Sequence, residues 1–130
     1  MRVSSCIFRS YNYRMKLRKS AHTVYKAQYH IVWITRFRRK ILLKRVKDYL
    51  KIKLQEIRKH YPEWEYLEIG IDLDHIHLYM LIPPKYAVSK AVEIFKKKTS
   101  RFLSRKFTFF EKVYWDQKGI WAKGYFVSTV

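Results

Sequence analysis

Two histidines separated by one residue are the side chains of this sequence best suited to chemistry. His75, Ile76 and His77 lie in a segment that alternates apolar and polar residues, which is typical of a β-strand. Residues two apart on a strand project from the same face, about 6.6 Å apart along the chain, while Ile76 would point into the core. Two imidazoles placed in this way can bind one divalent cation. A chance pairing on an exposed face is the alternative, because zinc sites usually have three or four protein ligands.

The residues before these histidines offer acidic ligands at matching positions. They alternate like a second strand, and a two-residue turn would join the two strands as an antiparallel hairpin. This hairpin places Asp72 opposite His75 and Gly70 opposite His77. Asp72 then lies within reach of a shared cation, and the glycine leaves room above it. Glu68 lies two positions further back on the same face and is a second candidate ligand.

The rest of the patterning predicts one α+β domain. Apolar residues recur three and four apart in two segments, as on amphipathic helices, whereas β-branched and aromatic residues mark the strands. In the second strand, Leu67, Ile69 and Ile71 are expected on the core side. The order predicts a ferredoxin-like β-α-β-β-α-β antiparallel sheet with two helices on one face. The expected segments are strands at 25–35, 65–72 and 75–82, helices at 43–61 and 88–102, and a closing strand or hairpin built from 113–115 and 120–130.

The charge balance points to a nucleic-acid partner. The sequence has 29 Lys and Arg against 10 Asp and Glu, a net charge of +19, which favours contact with a polyanion. No membrane-spanning segment is predicted, because the longest apolar runs are far shorter than the roughly 20 residues that a spanning helix needs. The basic side chains would contact phosphates and so set affinity, not sequence choice. The candidates are Arg36, Arg38, Arg39, Lys96, Lys97, Lys98 and Arg101.

Two regions are expected along the 130 residues: a basic N-terminal tail at 1–24 and a folded domain at 25–130. Met15 is followed by a basic stretch that is typical of a natural start, so the sequence alone leaves open whether residues 1–14 are native. No signal peptide is predicted. A single cysteine, Cys6, cannot close an internal disulfide, which favours a cytoplasmic protein.

Three sequence blocks in this order resemble the HUH-type single-tyrosine transposases. These are the TnpA-type enzymes of bacterial and archaeal insertion sequences that move as single-stranded DNA. The blocks are Tyr29–Ile34, Asp74–Leu78 and Gly124–Thr129, and the similarity extends from about Lys16 to Val130.

The resemblance implies a dimeric, metal-dependent enzyme. His75 and His77 would hold Mg²⁺ or Mn²⁺ against a scissile phosphate of DNA. A tyrosine would then attack the phosphate, which gives a 5′-phosphotyrosine link and a free 3′-hydroxyl. The expected partners are single-stranded DNA hairpins near the ends of the insertion sequence, bound by the basic helices.

The attacking tyrosine is the part of the family pattern that this sequence does not match. In the family it lies on a helix after the last strand, in a Tyr-x-x-x-Gln pattern, and this sequence ends at Val130, just before the expected place of that helix. None of the 11 tyrosines fits the pattern, so no nucleophile is assigned. Two functions stay open at this point: a transposase, or a DNA-binding remnant of one without turnover. A weaker third alternative is an RNA-binding ferredoxin-like protein.

Overall fold

The periodic segments of the sequence form strands and helices close to their expected bounds. The computed structural model describes residues 27–114 and 119–129. The predicted tail at 1–24 and the expected strand residue Trp115 lie outside them. A 3₁₀ turn at Arg36–Arg38 follows the first strand. The described elements are β1 (Ala27–Ile34), α1 (Lys44–Lys59), β2 (Glu65–Ile71), β3 (His75–Ile82), α2 (Val88–Lys106), α3 (Phe109–Val113) and β4 (Phe126–Thr129).

The four strands form one antiparallel sheet in the order β2-β3-β1-β4. The central strands β1 and β3 pair along their whole length, from Ala27 opposite Ile82 to Ile34 opposite His75. With α1 between β1 and β2, and α2 between β3 and β4, this is the ferredoxin-like topology. The predicted α+β fold class is confirmed.

One face of the sheet and the two long helices enclose the core. The ring of Phe95 on α2 lies 5.9 Å from that of Trp33 on β1 and 5.4 Å from that of Trp64, which precedes β2. The buried residues of each helix recur three and four apart, so both helices turn one stripe toward this face. Within the described segments, no helix combines the length and apolarity needed to cross a bilayer. The buried helix residues are Val46, Leu50, Leu54 and Ile57 of α1, and Ala91, Val92, Phe95, Thr99 and Leu103 of α2.

A β-bulge changes which residues of β2 face the core. Tyr66 pairs with Met80 and Glu68 pairs with Tyr79, so Leu67 is an extra residue without an opposite partner. Tyr66 therefore packs against the core, and its hydroxyl donates a hydrogen bond to the carbonyl oxygen of Leu54 at 2.7 Å. The prediction that Leu67 faces the core is wrong, because strict alternation cannot allow for an inserted residue.

A short helix stands where the sequence suggested a strand near residues 113–115. Phe107, Phe110 and Tyr114 are buried at spacings of three and four, which is a helical period, and α3 ends at Val113. The prediction of a strand is wrong at Val113 and Tyr114, where the pattern misled because aromatic and β-branched residues also suit strands. The closing strand is confirmed only at Phe126–Thr129, preceded by an isolated bridge between Thr35 and Trp121.

Candidate metal centre

The β2–β3 hairpin brings an acidic side chain and two imidazoles to one point. Gly70 pairs with His77, and the backbone N–H of Asp72 donates to the carbonyl oxygen of His75 at 2.8 Å, so the predicted register is confirmed. One ligand atom each from Asp72, His75 and His77 lies within 4.8 Å of the other two. The three side chains therefore lie close enough together to share one cation.

A hydrogen bond and a close contact orient the ring of His75. Its Nδ1 lies 2.8 Å from Oδ1 of Asp74, and its Nε2 lies 3.2 Å from Oδ2 of Asp72. The hydrogen bond from His75, opposed by partial burial, lowers the pKa of the Asp74 carboxyl on balance. A carboxylate that accepts from Nδ1–H leaves Nε2 with its lone pair directed outward. Sequence reasoning missed Asp74, although a carboxylate directly before a candidate ligand was a usable signal.

His77 lies flat against the hairpin, over Gly70. A Cβ at position 70 would overlap Cε1 and Nε2 of the His77 ring, so only glycine allows this ring position. Nδ1 of His77 is buried and has no hydrogen-bond partner. Burial, followed by the charge of His75, lowers the pKa of His77. The ring is therefore neutral at pH 7, which is the form that binds a metal ion.

Glu68 lies beside the cluster without joining it. It lies opposite Tyr79, two pairs further from the hairpin turn than Gly70 and His77, and the group of three close ligand atoms does not include its carboxylate. Its Oε2 is buried without a hydrogen-bond partner. Its negative charge raises the pKa of His77 and so partly offsets the lowering by burial. Its role as a metal ligand stays a prediction.

A row of buried polar side chains continues from His77 along the same face of the sheet. The ring of His30 stacks on Tyr79 at 4.3 Å and meets the edge of His77 at 6.0 Å. Nε2 of His30 and the hydroxyl of Tyr79 have no hydrogen-bond partner, and both residues are only 4% exposed. Burial, followed by the charge of His77, lowers the pKa of His30, while burial raises that of Tyr79. These groups stay uncharged at neutral pH.

The first group of predicted DNA contacts lies on the 3₁₀ turn and just after it, and one member reaches the candidate site. Nε of Arg38 is 3.4 Å from Oδ2 of Asp74, which ties the 3₁₀ turn to the histidine hairpin. The guanidinium of Arg36 lies over the ring of Tyr114 at 5.1 Å, and that of Arg39 lies over Phe37 at 5.9 Å. The structure thus places one cationic side chain, Arg38, beside the candidate ligands.

The second group, on α2, divides into two kinds of residue. Lys97 and Arg101 are exposed and, with Ser100 and Ser104, line a cleft of about 370 Å³ between α2 and α3. Lys98 and Arg101 also border a second, neighbouring cleft.

Lys96, by contrast, turns toward the protein. Its Nζ donates to the carbonyl oxygens of Ala122 at 2.6 Å and Gly124 at 3.0 Å, and burial lowers its pKa. The ammonium of Lys96 therefore holds the segment before β4, a role that the sequence pattern did not reveal.

Comparisons with known proteins identify relatives of this chain. The family described as "Transposase IS200 like" matches residues 23–130. The chain is 32% identical over 113 residues to the transposase for insertion sequence element IS200 of Salmonella typhimurium, which covers 85% of this chain and 71% of that protein. It is 25% identical over 116 residues to the ISDra2 transposase TnpA of Deinococcus radiodurans, which covers 89% of this chain and 81% of that protein.

Solved structures share the fold as well. A protein of Deinococcus radiodurans R1 described as a transposase matches with a TM-score of 0.74 at 28% identity, over 82% of this chain and 81% of its own. A REP-associated tyrosine transposase bound to a REP hairpin matches with a TM-score of 0.61 at 15% identity, over 84% of this chain and 59% of its own. At that identity the second match bears on the fold alone.

Replacing Gly70 by alanine is expected to displace His77 and weaken metal binding. The added methyl group and the ring cannot occupy the same space, so Mn²⁺ affinity should fall by about tenfold or more, as for other changes that reorient a ligand. Titration calorimetry with Mn²⁺ measures the change. The control is the same substitution in a His77→Ala background, where it should have no further effect on affinity. An equal loss in both backgrounds would contradict the steric explanation.

The free energy of unfolding of the metal-free protein is expected to fall as the pH drops from about 7.5 to 5. Burial lowers the pKa of His30 from 6.5 in the folded state. At pH values below about 6.5 the unfolded chain therefore binds more protons than the folded protein, and this proton binding stabilises the unfolded state relative to the folded one. Urea unfolding in the presence of EDTA measures the slope. His30→Gln should flatten it, and His60→Gln, at an exposed position, should leave it unchanged. Equal slopes in all three proteins would contradict the assignment.

Proposed function

The chain belongs to the IS200-like transposase family, and we propose that this transposase cuts single-stranded DNA with a divalent cation held by Asp72, His75 and His77. Its relatives at 25–32% identity carry the names of transposases. Turnover is therefore favoured over the alternative of a DNA-binding remnant.

One observation carries the metal assignment: two imidazoles and a carboxylate converge on one point of the hairpin. Nε2 of His75 and Oδ2 of Asp72 face each other at 3.2 Å, so one cation can accept a lone pair from each of them. Nδ1 of His77 has no hydrogen-bond partner. The carboxylate oxygen is a ligand that suits Mn²⁺ and Mg²⁺, and the two imidazoles favour the transition metal, Mn²⁺, of the two.

The chain's own residues prepare this site for a phosphate. The bound cation would act as a Lewis acid that offsets the negative charge developing on the phosphate oxygens. Asp74 orients His75, and Gly70 allows His77 to lie against the strand. Asp72 is exposed, so the site opens to solvent on the side where a DNA strand would approach.

The proposed cleavage is an attack by a tyrosine oxygen on phosphorus. The new P–O bond forms as the bond to the 3′ oxygen breaks, and that oxygen leaves with a proton as a hydroxyl group. Tyr79 shares the histidine face, but it is buried and its pKa is raised, so its phenol stays protonated and is a poor nucleophile. We assign the nucleophile to none of the described tyrosines.

Single-stranded DNA hairpins are the proposed substrate. The net charge of +19 suits a polyanion, and a relative with the same fold was solved with a REP hairpin bound. On α2, Lys97 and Arg101 present their charge along a cleft whose serines can also donate to phosphate oxygens. This cleft is the proposed contact with the DNA backbone.

Replacing both His75 and His77 by alanine is expected to abolish Mn²⁺ binding and leave the fold intact. Both rings are half-buried on the face opposite the core, so their loss removes ligands but no core contact. Calorimetry with Mn²⁺ measures binding, and circular dichroism measures the fold. His60→Ala is the control and should bind Mn²⁺ like the wild type. Binding that survives in the double variant would contradict the assignment.

Changing Lys97, Lys98 and Arg101 together to alanine is expected to flatten the salt dependence of DNA binding. Each lost phosphate contact reduces the slope of log affinity against log salt by about 0.7 to 0.9, so the total change should be about two to three. Fluorescence anisotropy of a labelled single-stranded hairpin at several salt concentrations measures it.

Lys96→Ala is the matched control on the same helix. Because its ammonium is bonded to two carbonyl oxygens, its loss should lower the free energy of unfolding and leave the salt slope nearly unchanged. A triple variant with the wild-type slope would place the DNA elsewhere on the protein.

The proposed transposase acts as a homodimer, and the edge strand β4 supports this. β4 pairs with β1 on one side and ends the described sheet on the other. Phe126 is 68% exposed and Val127 is 45% exposed, and an open apolar edge strand readily pairs with a second copy.

Phe126→Lys should therefore shift the protein toward the monomer, as measured by light scattering. Ile52→Lys, at an exposed apolar position on α1, is the control and should not shift it. A wild-type protein that stays monomeric at high concentration would contradict the dimer.

A further inference from the structure

A chain of three side chains runs from the 3₁₀ turn to the metal centre. Nε of Arg38 lies 3.4 Å from Oδ2 of Asp74, and the other oxygen of Asp74 lies 2.8 Å from Nδ1 of His75. We propose that Asp74, held in place by Arg38, fixes the tautomer and the ring orientation of His75 that present Nε2 to the cation. Both are positioning residues, and the proposal rests on the proposed metal site.

The tautomer follows from which partners are available. Both ring nitrogens face carboxylates, which can only accept, and Nδ1 has the shorter contact, 2.8 Å to Asp74 against 3.2 Å from Nε2 to Asp72. The proton of a neutral His75 ring therefore belongs on Nδ1, toward Asp74. Nε2 then carries the lone pair, and it faces Oδ2 of Asp72 at 3.2 Å. Without Asp74, the proton would move to Nε2 and bond to Asp72, which removes the lone pair from the place where the metal binds. The carboxylate of Asp74 thus decides which ring nitrogen is a ligand.

Backbone hydrogen bonds hold Asp74 itself in place. The N–H of Thr35 donates to the carbonyl oxygen of Asp74 at 2.9 Å, and the N–H of Leu42 donates to that of Leu73 at 2.9 Å. The hairpin turn is therefore tied at two points to the segment that connects β1 and α1. The backbone of Asp74 is therefore held in a fixed position, from which its carboxylate reaches His75.

The backbone around Arg38 is strained in a way that serves this contact. Phe37 has a φ of 59° and Arg38 a φ of 52°, which is the left-handed region that residues other than glycine rarely adopt. The N–H of Arg38 donates to the carbonyl oxygen of Thr35 at 2.9 Å, and Oγ1 of Thr35 donates to that of Arg39 at 2.8 Å. Strain of this kind persists where the surrounding contacts require it, often at functional sites. Here the tight turn directs the Arg38 guanidinium back toward Asp74.

The first experiment measures the tautomer directly, without any metal. Long-range ¹H–¹⁵N spectra of the EDTA-treated protein, recorded at a pH at which the His75 ring is neutral, should show His75 as the Nδ1–H tautomer. In Asp74→Ala the Nε2–H tautomer should take over. Asp74→Asn should largely keep the Nδ1–H form, because the amide oxygen also accepts a hydrogen bond. A wild-type His75 in the Nε2–H form, or a tautomer indifferent to Asp74→Ala, would overturn the proposal.

The second experiment measures Mn²⁺ affinity in the absence of DNA. Asp74→Ala should lower it by about 10- to 100-fold, the usual effect of losing a partner that orients a ligating histidine. Arg38→Ala should lower it less, and Arg38→Lys should restore part of the loss. Asp48→Ala is the matched control, since Asp48 pairs with Lys44 on α1, and it should bind like the wild type. Unchanged affinity in Asp74→Ala would overturn the proposal.

The two experiments separate failure of the positioning role from failure of the metal site. If the wild type binds no Mn²⁺, the metal assignment is wrong, and the spectra still decide whether Asp74 sets the tautomer. If the wild type binds Mn²⁺ and Asp74→Ala changes neither affinity nor tautomer, the metal site stands and the positioning role is wrong. Unfolding in urea shows that each variant is folded under the conditions used.

Discussion

The pairing register of the β2–β3 hairpin is the constraint on which the rest of the molecule depends. Gly70 opposite His77 and Ile71 opposite Ile76 fix which side chains of β3 face the helices. A slip by one residue would turn the histidines into the core and expose Ile76 and Leu78 to solvent. Burying each such side chain contributes about 1.5–3 kcal/mol, so the hydrophobic core also holds the candidate metal ligands in position. Stability and function therefore depend on the same register.

Much of the candidate site could be predicted because strands have a period of two. The apolar residues of β3 alternate with the histidines, and a short turn leaves one sensible register, so Asp72, His75 and His77 could be brought together from the sequence. The bulge at Leu67 could not be predicted, since it depends on how two strands pair and not on the composition of either. The bulge changes the facing of Tyr66 and leaves Glu68 at its expected position opposite Tyr79.

The parts that could not be predicted depend on which side chains find partners in three dimensions. Lys96 and Lys97 are neighbours on one helix with the same chemistry, yet the first bonds to two carbonyl oxygens and the second lies on the surface. A sequence pattern shows how many charged side chains a helix carries. It does not show which of them form hydrogen bonds within the fold and which remain on the surface. Arg38 illustrates the same limit, because its contact with Asp74 depends on a backbone conformation that no local pattern indicates.

The contact between Gly70 and His77 also has a consequence for how transposase genes change over time. Mobile elements accumulate copies that are no longer under selection, and those copies drift. A glycine codon can change to alanine, serine or valine by one nucleotide, and each of these residues would carry a Cβ into the space of the imidazole ring. In related genes of this family, a residue with a Cβ at position 70 should therefore mark copies in which this ring position is lost, even where both histidine codons survive.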